Sequence, residues 1–482
     1  MQSALGSLRQ AGASQRVLVD AHHMMWGVGA DHLSLAGHYN LRVLRGAISI
    51  CGTTLTYDSS GRSFTVSAPV APYPVIRAAH ANNAGGAAES VPEELQNFPA
   101  IIEVRAAEIP DIGALAPPYK QLWHTIYQVN ADETSALRIP KSWQEINFAN
   151  DQFVVLGPKN SGKSSLSRFI CNKLITDNKR VFYLDLDPGQ PEFTVPGCLS
   201  LHKVSELNFS PGYFHPDFRE VVKCLYLGYV SPSETPDRYL AMCHNLISIY
   251  NEQKQSGDRL VINTSGWTKG LGLELNAAIM SMLGDEAAVF HLGSSEFAEA
   301  EELEPIGDDD SSSTITQGGF SSAELRSLQI MQYMHQANLN HLTEWVPFEV
   351  KLSDLGIAIL DSEGIDNQDW GICIEGTLVA IVLADSASEG ILEPQKANNI
   401  WLESDCVGMA VVQKVNMHSL HLLIPRPLPE FGGRTPVLVR GRVQLPIWEI
   451  HNRKLGKSPW VSTSKPPGIG GTYSRFRRNI QR

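Results

Sequence analysis

The sequence predicts an α/β protein in which a central domain with a parallel β-sheet lies between two β-rich domains. Three observations support this fold class. The middle third of the chain alternates apolar strand patterns with helical patterns, and period-two β patterns occupy both the first third and the last third. Regular alternation of strand and helix is typical of a parallel sheet that helices cover on both faces.

The length of the chain requires more than one hydrophobic core, because 482 residues exceed the size of a single domain. We predict an N-terminal β-rich domain at residues 1–149, an α/β domain at 150–344 and a C-terminal β-rich domain at 345–482. The composition, 43% hydrophobic and 19% charged, is that of an ordinary soluble protein. The apolar run Leu378–Ala384 is a buried strand in length and far too short to span a membrane.

Cysteine and histidine usage does not predict a metal site. The seven cysteines are scattered and include no C-x-x-C pair, so we expect neither a zinc site nor a disulfide framework, and a reducing interior. His22, His23 and His32 lie within a short span, but no cysteine or carboxylate cluster completes a ligand set, which favours packing or surface roles. The N-terminus has no apolar core of signal-peptide length.

The formal net charge of −12 conceals an uneven distribution. Residues 452–482 contain eight basic residues and no acidic ones, which leaves 31 basic and 51 acidic residues in the rest of the chain. A basic tail on an acidic body is explained either by contact with a phosphate backbone or a partner, or by a solvated terminus.

The central domain begins with the apolar strand Phe153–Leu156, a loop with the pattern G-x-x-x-x-G-K-[ST], and a helical pattern over Lys163–Ile175. Glycines let the backbone curl around an anion, and the helix N-terminus adds partial positive charge. In this pattern Lys163 reaches the β- and γ-phosphates of a nucleotide, and Ser164 holds Mg²⁺. The predicted nucleotide-binding residues of the loop are Gly157, Pro158, Lys159, Asn160, Ser161, Gly162, Lys163, Ser164 and Ser165.

Further strands are predicted along the central domain. They are Arg180–Leu186, Val221–Gly228, Arg259–Thr264 and Ala287–Leu292, and helices separate the last three. Since ligands of parallel sheets bind at the carboxyl ends of the strands, we expect Leu156, Leu186 and Thr264 to line one crevice. Residues 296–319 are acidic and then Ser/Thr-rich, which predicts disorder. A helix beginning at Ser321 follows, over about 320–336.

Two carboxylates end the strand beside the phosphate loop. Asp185 and Asp187 stand two residues apart, so on an extended chain they point to the same side. A carboxylate in this position orders Mg²⁺ or takes a proton from an attacking hydroxyl.

Three segments together resemble the polynucleotide 5′-hydroxyl kinase family. They are the Gly157–Ser164 loop, the run LDLDPGQPEF that contains both aspartates, and the run NTSGWTKGLG that contains Thr264 and Trp267. They are similar to the Walker A, Walker B-type and "clasp" motifs of that family. The DPGQPEF form and the β-rich C-terminal domain are closer to its nucleolar pre-ribosomal-RNA branch. The resemblance covers residues from about 38 to the end of the chain.

The resemblance implies roles for individual residues. Lys163 would contact the transferring phosphate, Asp187 would be the general base, and Asp185 would belong to the metal shell. Thr264 and Trp267 would form the clasp that holds nucleotide and lysine. The family's lid arginine corresponds best to Arg326, and a second basic lid residue is not obvious. His335 is one candidate for it, and a histidine on the helix surface is the simpler explanation.

Taken as a whole, the resemblance implies a kinase domain that uses ATP and Mg²⁺ to phosphorylate 5′-hydroxyl RNA ends during pre-rRNA processing. It also implies a HEPN-type endoribonuclease partner in a higher-order complex and a location in the nucleus and nucleolus. Two alternatives stay open: a P-loop NTPase switch, and a non-catalytic ATP-binding scaffold for a nuclease. A guanine-specific switch would require an N-K-x-D segment, and Asn172-Lys173-Leu174-Ile175 lacks the aspartate.

Overall fold

The computed structural model describes residues 14–29, 31–80, 91–123, 126–129, 136–216, 221–284, 286–306, 319–361, 369–385, 390–391, 404–428 and 430–446. The basic tail 452–482 and residues 307–318 of the predicted disordered segment lie outside these ranges. The described strands form three sheets, one in each third of the chain. This arrangement confirms the predicted α/β class.

The N-terminal sheet has ten strands in a largely antiparallel arrangement, with the order β1-β2-β8-β3-β7-β4-β5; β6 and β9 pair with β3, and β10 pairs with β7. Its strands are β1 (Gln15–Asp20), β2 (His23–Val28), β3 (Leu33–Arg45), β4 (Ala47–Ile50), β5 (Thr53–Thr56), β6 (Phe64–Ala68), β7 (Tyr73–Ala78), β8 (Ala100–Ala106), β9 (Tyr127–Val129) and β10 (Ala136–Leu137). Of the three N-terminal histidines, His23 is paired with Glu103 at 2.8 Å in a cross-strand contact.

The central sheet has seven strands in the order β14-β13-β12-β15-β11-β16-β17. They are β11 (Gln152–Leu156), β12 (Val181–Asp185), β13 (Cys198–Val204), β14 (Val221–Tyr226), β15 (Arg259–Asn263), β16 (Ala287–Leu292) and β17 (Glu301–Leu303). The α-helices of this region are α1 (Lys141–Gln144), α2 (Lys163–Thr176), α3 (Pro236–Gln253), α4 (Leu271–Leu283) and α5 (Ser322–Met334).

The central sheet is mixed, which corrects the prediction of an all-parallel sheet. β13 runs antiparallel to both β12 and β14. The sequence analysis missed this strand, since an antiparallel neighbour needs no helical crossover to signal it. A second correction concerns the segment predicted to be disordered: Glu301–Leu303 pairs in parallel with β16, and Leu303 is buried in the core.

The three strands that carry the predicted site are neighbours. β15 lies between β12 and β11 and is parallel to both. The chain continues this contact beyond β12, where the Leu186 amide donates to the Asn263 carbonyl at 2.9 Å. The carboxyl ends of these three strands therefore lie side by side, as predicted.

The C-terminal sheet has seven strands in the order β18-β23-β22-β20-β24-β19-β21. They are β18 (Phe348–Lys351), β19 (Gly356–Ile359), β20 (Leu378–Ala384), β21 (Gly390–Ile391), β22 (Asp405–Val415), β23 (Ser419–Leu423) and β24 (Thr435–Arg440); α6 (Trp370–Ile374) is a short helix beside them. Short 3₁₀ turns occur at Glu93–Leu95, Ile112–Ala114, Pro117–Leu122, Gly212–Phe214, Pro232–Glu234, Leu342–Glu344 and Leu352–Asp354.

One hydrophobic core joins the central and C-terminal regions. It includes Leu199 and Tyr226 from the central sheet, Tyr333 from α5, and Met409 and Val437 from the C-terminal sheet. A continuous apolar interface fixes the C-terminal sheet against the central one, because separating them would expose these side chains to water. Within the described ranges, no helix is long and apolar enough to cross a membrane.

Candidate phosphoryl-transfer site

The phosphate loop joins β11 to α2 and takes a conformation that its glycines permit. Gly157, Asn160 and Gly162 have φ angles of +146°, +67° and +101°. A Cβ atom at Gly157 would lie 2.9 Å from the Ser161 hydroxyl and 3.0 Å from Leu292 Cβ, so a side chain would not fit there. The loop delivers the chain to the N-terminus of α2, where free amide groups and the helix dipole favour an anion.

Lys163 is the first residue of α2 and is buried inside the loop. Its ammonium donates to the Pro158 carbonyl at 2.8 Å. Burial lowers the pKa of Lys163 to about 8, although the Asp187 carboxylate opposes this shift. The lysine is therefore a cation that the loop encloses, close to the Asp187 carboxylate.

Asp187 is half-buried at the mouth of the crevice. Its Oδ1 accepts hydrogen bonds from the amides of Gly189 at 2.8 Å and Gln190 at 3.3 Å. These contacts are made by the turn DPGQ itself, so the turn holds the carboxylate in place. Asp187 thus presents a fixed carboxylate toward Lys163, as a general base requires.

Asp185 lies in a different environment, although it stands only two residues earlier. It is fully buried and accepts from the Glu192 amide at 2.5 Å, the Asn263 side chain at 3.1 Å and the Asp187 amide at 3.3 Å. Burial raises the pKa of Asp185 to about 8, against these hydrogen bonds, which favour the charged form. Both of its oxygens accept hydrogen bonds from protein donors, so Asp185 is held in place. Its metal-shell role stays a prediction.

The segment after β15 closes the site from the other side. The buried Thr264 hydroxyl donates to the Val155 carbonyl at 2.8 Å and so ties this segment to β11. A Cβ atom at Gly266 would lie 3.0 Å from Lys159 Cα and 3.2 Å from Lys163 Nζ. Trp267 is half-buried and packs against the central core. The structure therefore brings this segment to the phosphate loop at Gly266 and ties Thr264 to the strand before the loop. The clasp role of Thr264 and Trp267 stays a prediction.

Helix α5 carries Arg326 to the same site. The helix begins with a capping box in which Ser321 and Glu324 satisfy each other's backbone amides, and this confirms the predicted start. Burial lowers the pKa of Arg326, and the nearby Asp187 carboxylate opposes the shift. Gln329 donates to the carbonyls of Pro191 at 2.7 Å and Thr194 at 2.6 Å. These bonds fix the helix to the loop after β12, whose residues Asp185 to Glu192 are called the acidic loop below.

His335 does not complete the lid. It follows α5, is fully buried, contacts the Asn338 carbonyl at 2.7 Å and packs edge-on against Trp345. Neither the lid role nor the alternative of a surface histidine is correct, because the helix end is covered by the segment that leads to the C-terminal sheet.

Sequence reasoning missed a buried ion pair behind the site. Arg168, on α2, lies 3.1 Å from the Glu192 carboxylate, and both side chains are largely buried. Asn208 also donates to Glu192 at 3.0 Å. The only signal in the sequence was the acid in DPGQPEF, and nothing marked Arg168 as its partner. This pair connects the phosphate-loop helix to the loop that carries Asp187.

A phosphate loop, an enclosed lysine, a fixed carboxylate and a nearby arginine at the carboxyl ends of neighbouring strands define the chain as a P-loop protein with the groups that phosphoryl transfer requires. The family model for the P-loop of the mRNA cleavage and polyadenylation factor CLP1 matches residues 157–336. This match contains Lys163, Asp185, Asp187, Thr264, Trp267 and Arg326.

Three of the relatives that the chain matches are named polynucleotide 5′-hydroxyl-kinases. GRC3 of Yarrowia lipolytica is 27% identical over 412 residues, which cover 77% of this chain and 68% of its own. Grc3 of Aspergillus fumigatus is 29% identical over 447 residues, covering 78% of this chain and 51% of its own. GRC3 of Gibberella zeae is 25% identical over 556 residues, covering 91% of this chain and 74% of its own. The chain thus spans about half the length of the Aspergillus relative and more of the other two.

A solved structure with a similar fold is wild-type Clp1p in complex with Pcf11p. It has a TM-score of 0.52 and 16% identity, and the match covers 90% of this chain and 98% of that one. The chain is similar to proteins named polynucleotide 5′-hydroxyl-kinases, and its residues 157–336 match the CLP1 P-loop model, in agreement with the resemblance in its motifs.

Proposed function

We propose that the chain is an ATP-dependent polynucleotide 5′-hydroxyl kinase. The observation that carries the proposal is the meeting of Lys163, Asp187 and Arg326 at one crevice, from three separate segments of the chain. Phosphoryl transfer needs mainly positioning and neutralisation of charge, and these groups supply both. The names of the relatives support the polynucleotide as acceptor.

In this reaction the 5′-oxygen of the acceptor attacks the γ-phosphorus of ATP, and the bond to the β,γ-bridging oxygen breaks. Asp187 takes the proton of the 5′-hydroxyl as the new P–O bond forms. Lys163 and Arg326 stabilise the negative charge on the phosphoryl oxygens and on the ADP that leaves. Because Gln329 anchors α5 to the acidic loop, the arginine and the base keep a fixed relation to each other.

Mg²⁺ fits the oxygen donors at this site. The Ser164 hydroxyl lies half-buried in the first turn of α2 and offers the hard oxygen ligand that Mg²⁺ prefers. Asp185, at the end of β12, would belong to the shell of the ion. Such an ion would neutralise charge between the β- and γ-phosphates. Asp185 would also hold the loop that carries Asp187, because it accepts from the Asp187 and Glu192 amides.

We further propose that the acceptor is a 5′-hydroxyl RNA end produced during pre-rRNA processing, that a HEPN-type endoribonuclease generates that end in a shared complex, and that the protein acts in the nucleus and nucleolus. The resemblance of the DPGQPEF run to the nucleolar branch of the family supports these points. The basic tail 452–482 offers charge for a phosphate backbone.

The activity is tested with γ-labelled ATP and a 5′-hydroxyl RNA oligonucleotide, for wild type, Lys163→Ala and Asp187→Asn. We expect label on the RNA with wild type alone. Hydrolysis without transfer would identify an NTPase switch, and nucleotide binding without either reaction would identify a scaffold. The same assay with a 5′-phosphorylated RNA is the control for acceptor chemistry.

A truncation that ends at residue 451 tests the tail. We expect RNA binding to weaken and to depend less on salt, while ATP binding is unchanged. If the truncated protein and the full chain bind RNA with the same affinity at low salt and again at high salt, the tail has no role in RNA binding.

A further inference from the structure

Three cysteines that are distant in the sequence lie together in the structure. They are Cys198 in β13, Cys224 in β14 and Cys406 in β22, and their sulfur atoms all lie within 4.8 Å of one another. All three side chains are buried. The scattered spacing of the cysteines predicted no metal site, so this cluster is a product of the tertiary structure.

Two sheets build the cluster. In the β13–β14 ladder Ser200 is paired with Cys224, and Cys198 with Tyr226, so the two cysteines are diagonal neighbours on one face. Cys406 reaches them from the C-terminal sheet, within the core that both sheets share. The cluster therefore lies at the seam between the central and C-terminal regions.

The spacing of the sulfur atoms suits coordination of one ion. A thiolate binds Zn²⁺ at about 2.3 Å, which puts neighbouring sulfur ligands of one ion roughly 4 Å apart. Sulfur atoms within 4.8 Å of one another meet this requirement with small side-chain movements. Thiolate ligands select soft ions, such as Zn²⁺ and Cu⁺, over hard ions, such as Mg²⁺.

Charged side chains beside the cluster cross the same seam between the two sheets. Asp405, adjacent to Cys406, contacts Lys223 at 2.9 Å and Arg434 at 2.7 Å. Lys223 is adjacent to Cys224 in β14 and Asp405 lies in β22, so this ion pair joins two of the three strands that carry the cysteines.

We propose that Cys198, Cys224 and Cys406 bind one thiophilic metal ion, which fastens the C-terminal sheet to the central domain. The ion replaces the thiol protons, which pass to solvent, and no electron is transferred. Because the ligands come from two sheets, the ion binds as the sheets pack together during folding. The site is separate from the phosphate loop, so the proposal does not depend on the kinase activity.

The full-length chain, isolated under reducing conditions without chelators, provides the first test. We expect elemental analysis to find one thiophilic ion per chain. After chelation, titration with Cd²⁺ should produce a thiolate-to-cadmium absorption band that saturates at one equivalent. No retained metal together with no band in the wild type would overturn the proposal, and the three thiols would then be packing residues only.

Two matched variants assign the band to the cluster. Cys243 is buried in the same core but is outside the cluster, so Cys243→Ser serves as the control for Cys406→Ser. We expect Cd²⁺ affinity to fall at least tenfold in Cys406→Ser and to stay unchanged in Cys243→Ser. Equal affinity in both variants would overturn the assignment.

A measurement on the wild type alone guards against a variant that does not fold. Stoichiometric Zn²⁺ or Cd²⁺ should raise the melting temperature of the chelated protein, because a ligand that binds only the native state stabilises it. An unchanged melting temperature with both ions would contradict the proposal, whatever the variants do. ATP binding measured in parallel keeps this result separate from the proposed function.

Discussion

The phosphate loop and the acidic loop that faces it keep their shapes by different means. The phosphate loop depends on local backbone geometry, with three residues at positive φ between Gly157 and Gly162. The acidic loop from Asp185 to Glu192 depends on distant partners: Asn263 and Arg168 both contact its carboxylates. The shape of the phosphate loop can therefore be predicted from a short motif. The acidic loop is supported by contacts with distant residues, which a motif does not contain.

The same contrast exists inside the acidic loop. Asp187 is accessible and is held by its own turn, while Asp185 is buried and held by other segments. Two carboxylates two residues apart thus lie in different environments: Asp187 is free to meet a ligand in the crevice, and Asp185 is bonded into the loop.

The largest expected effect separates these two aspartates. Asp187→Asn should lower the rate of phosphoryl transfer by about 10²–10⁴-fold, because general base catalysis contributes that much, with little change in the free energy of unfolding. Asp185→Ala should instead lower the free energy of unfolding by about 1–3 kcal/mol, since the Glu192 amide loses its buried acceptor. Single-turnover kinetics and urea unfolding of both variants measure the difference. Equal losses of stability in the two variants would show that the comparison is wrong.

Arg168→Met should lower the free energy of unfolding by about 3–5 kcal/mol, because it leaves the buried Glu192 carboxylate without its cation. The exposed Lys141–Glu145 pair is the control, and Lys141→Ala should cost no more than about 0.5 kcal/mol. The double variant Arg168→Met/Glu192→Met should recover part of the loss. Urea unfolding measures these three variants together with the single variant Glu192→Met and the wild type. A double variant as unstable as the sum of Arg168→Met and Glu192→Met would contradict a coupled pair.

Gly266→Ala should lower the rate of transfer by roughly 10- to 100-fold, because the added Cβ would press on the Lys159 backbone and displace the phosphate loop. Gly257 is a useful contrast: it has a φ of +91° but a Cβ there meets nothing within 4 Å. Gly257→Ala should therefore reduce stability through backbone strain and leave the rate unchanged. If Gly257→Ala lowered the rate of transfer and Gly266→Ala did not, the role of Gly266 would be contradicted.

The smallest expected effect is a pH dependence of ATP binding. Burial holds the pKa of Lys163 at about 8, below its usual value, so the free protein loses the lysine proton as pH rises through that value. The phosphates bind the protonated lysine, and above that pH binding must take up a proton, which raises Kd by up to about tenfold per pH unit. Calorimetric titration with ATP between about pH 7 and pH 9 measures the slope. Lys163→Arg keeps its charge throughout and should give a flatter profile.

Much of the fold and part of the site were predictable from the sequence. Five strands of the central sheet followed from apolar runs, and the helix that begins at Ser321 was predicted at the right place. The adjacent carboxyl ends of β11, β12 and β15 followed from the rule that parallel strands place these ends at one edge. β13 and β17 were missed: one needs no crossover helix, and the other is a short strand in an acidic segment that looked unable to fold.

The sequence by itself determined which chemistry the chain carries. Gly157, Lys163, Ser164 and Asp187 lie in short motifs, so their roles could be predicted without knowledge of the fold. Tertiary structure alone decided what surrounds them. It buried Asp185, paired Arg168 with Glu192, and brought together Cys198, Cys224 and Cys406. Burial and charge pairing depend on which distant segments meet, and residue order does not specify that locally.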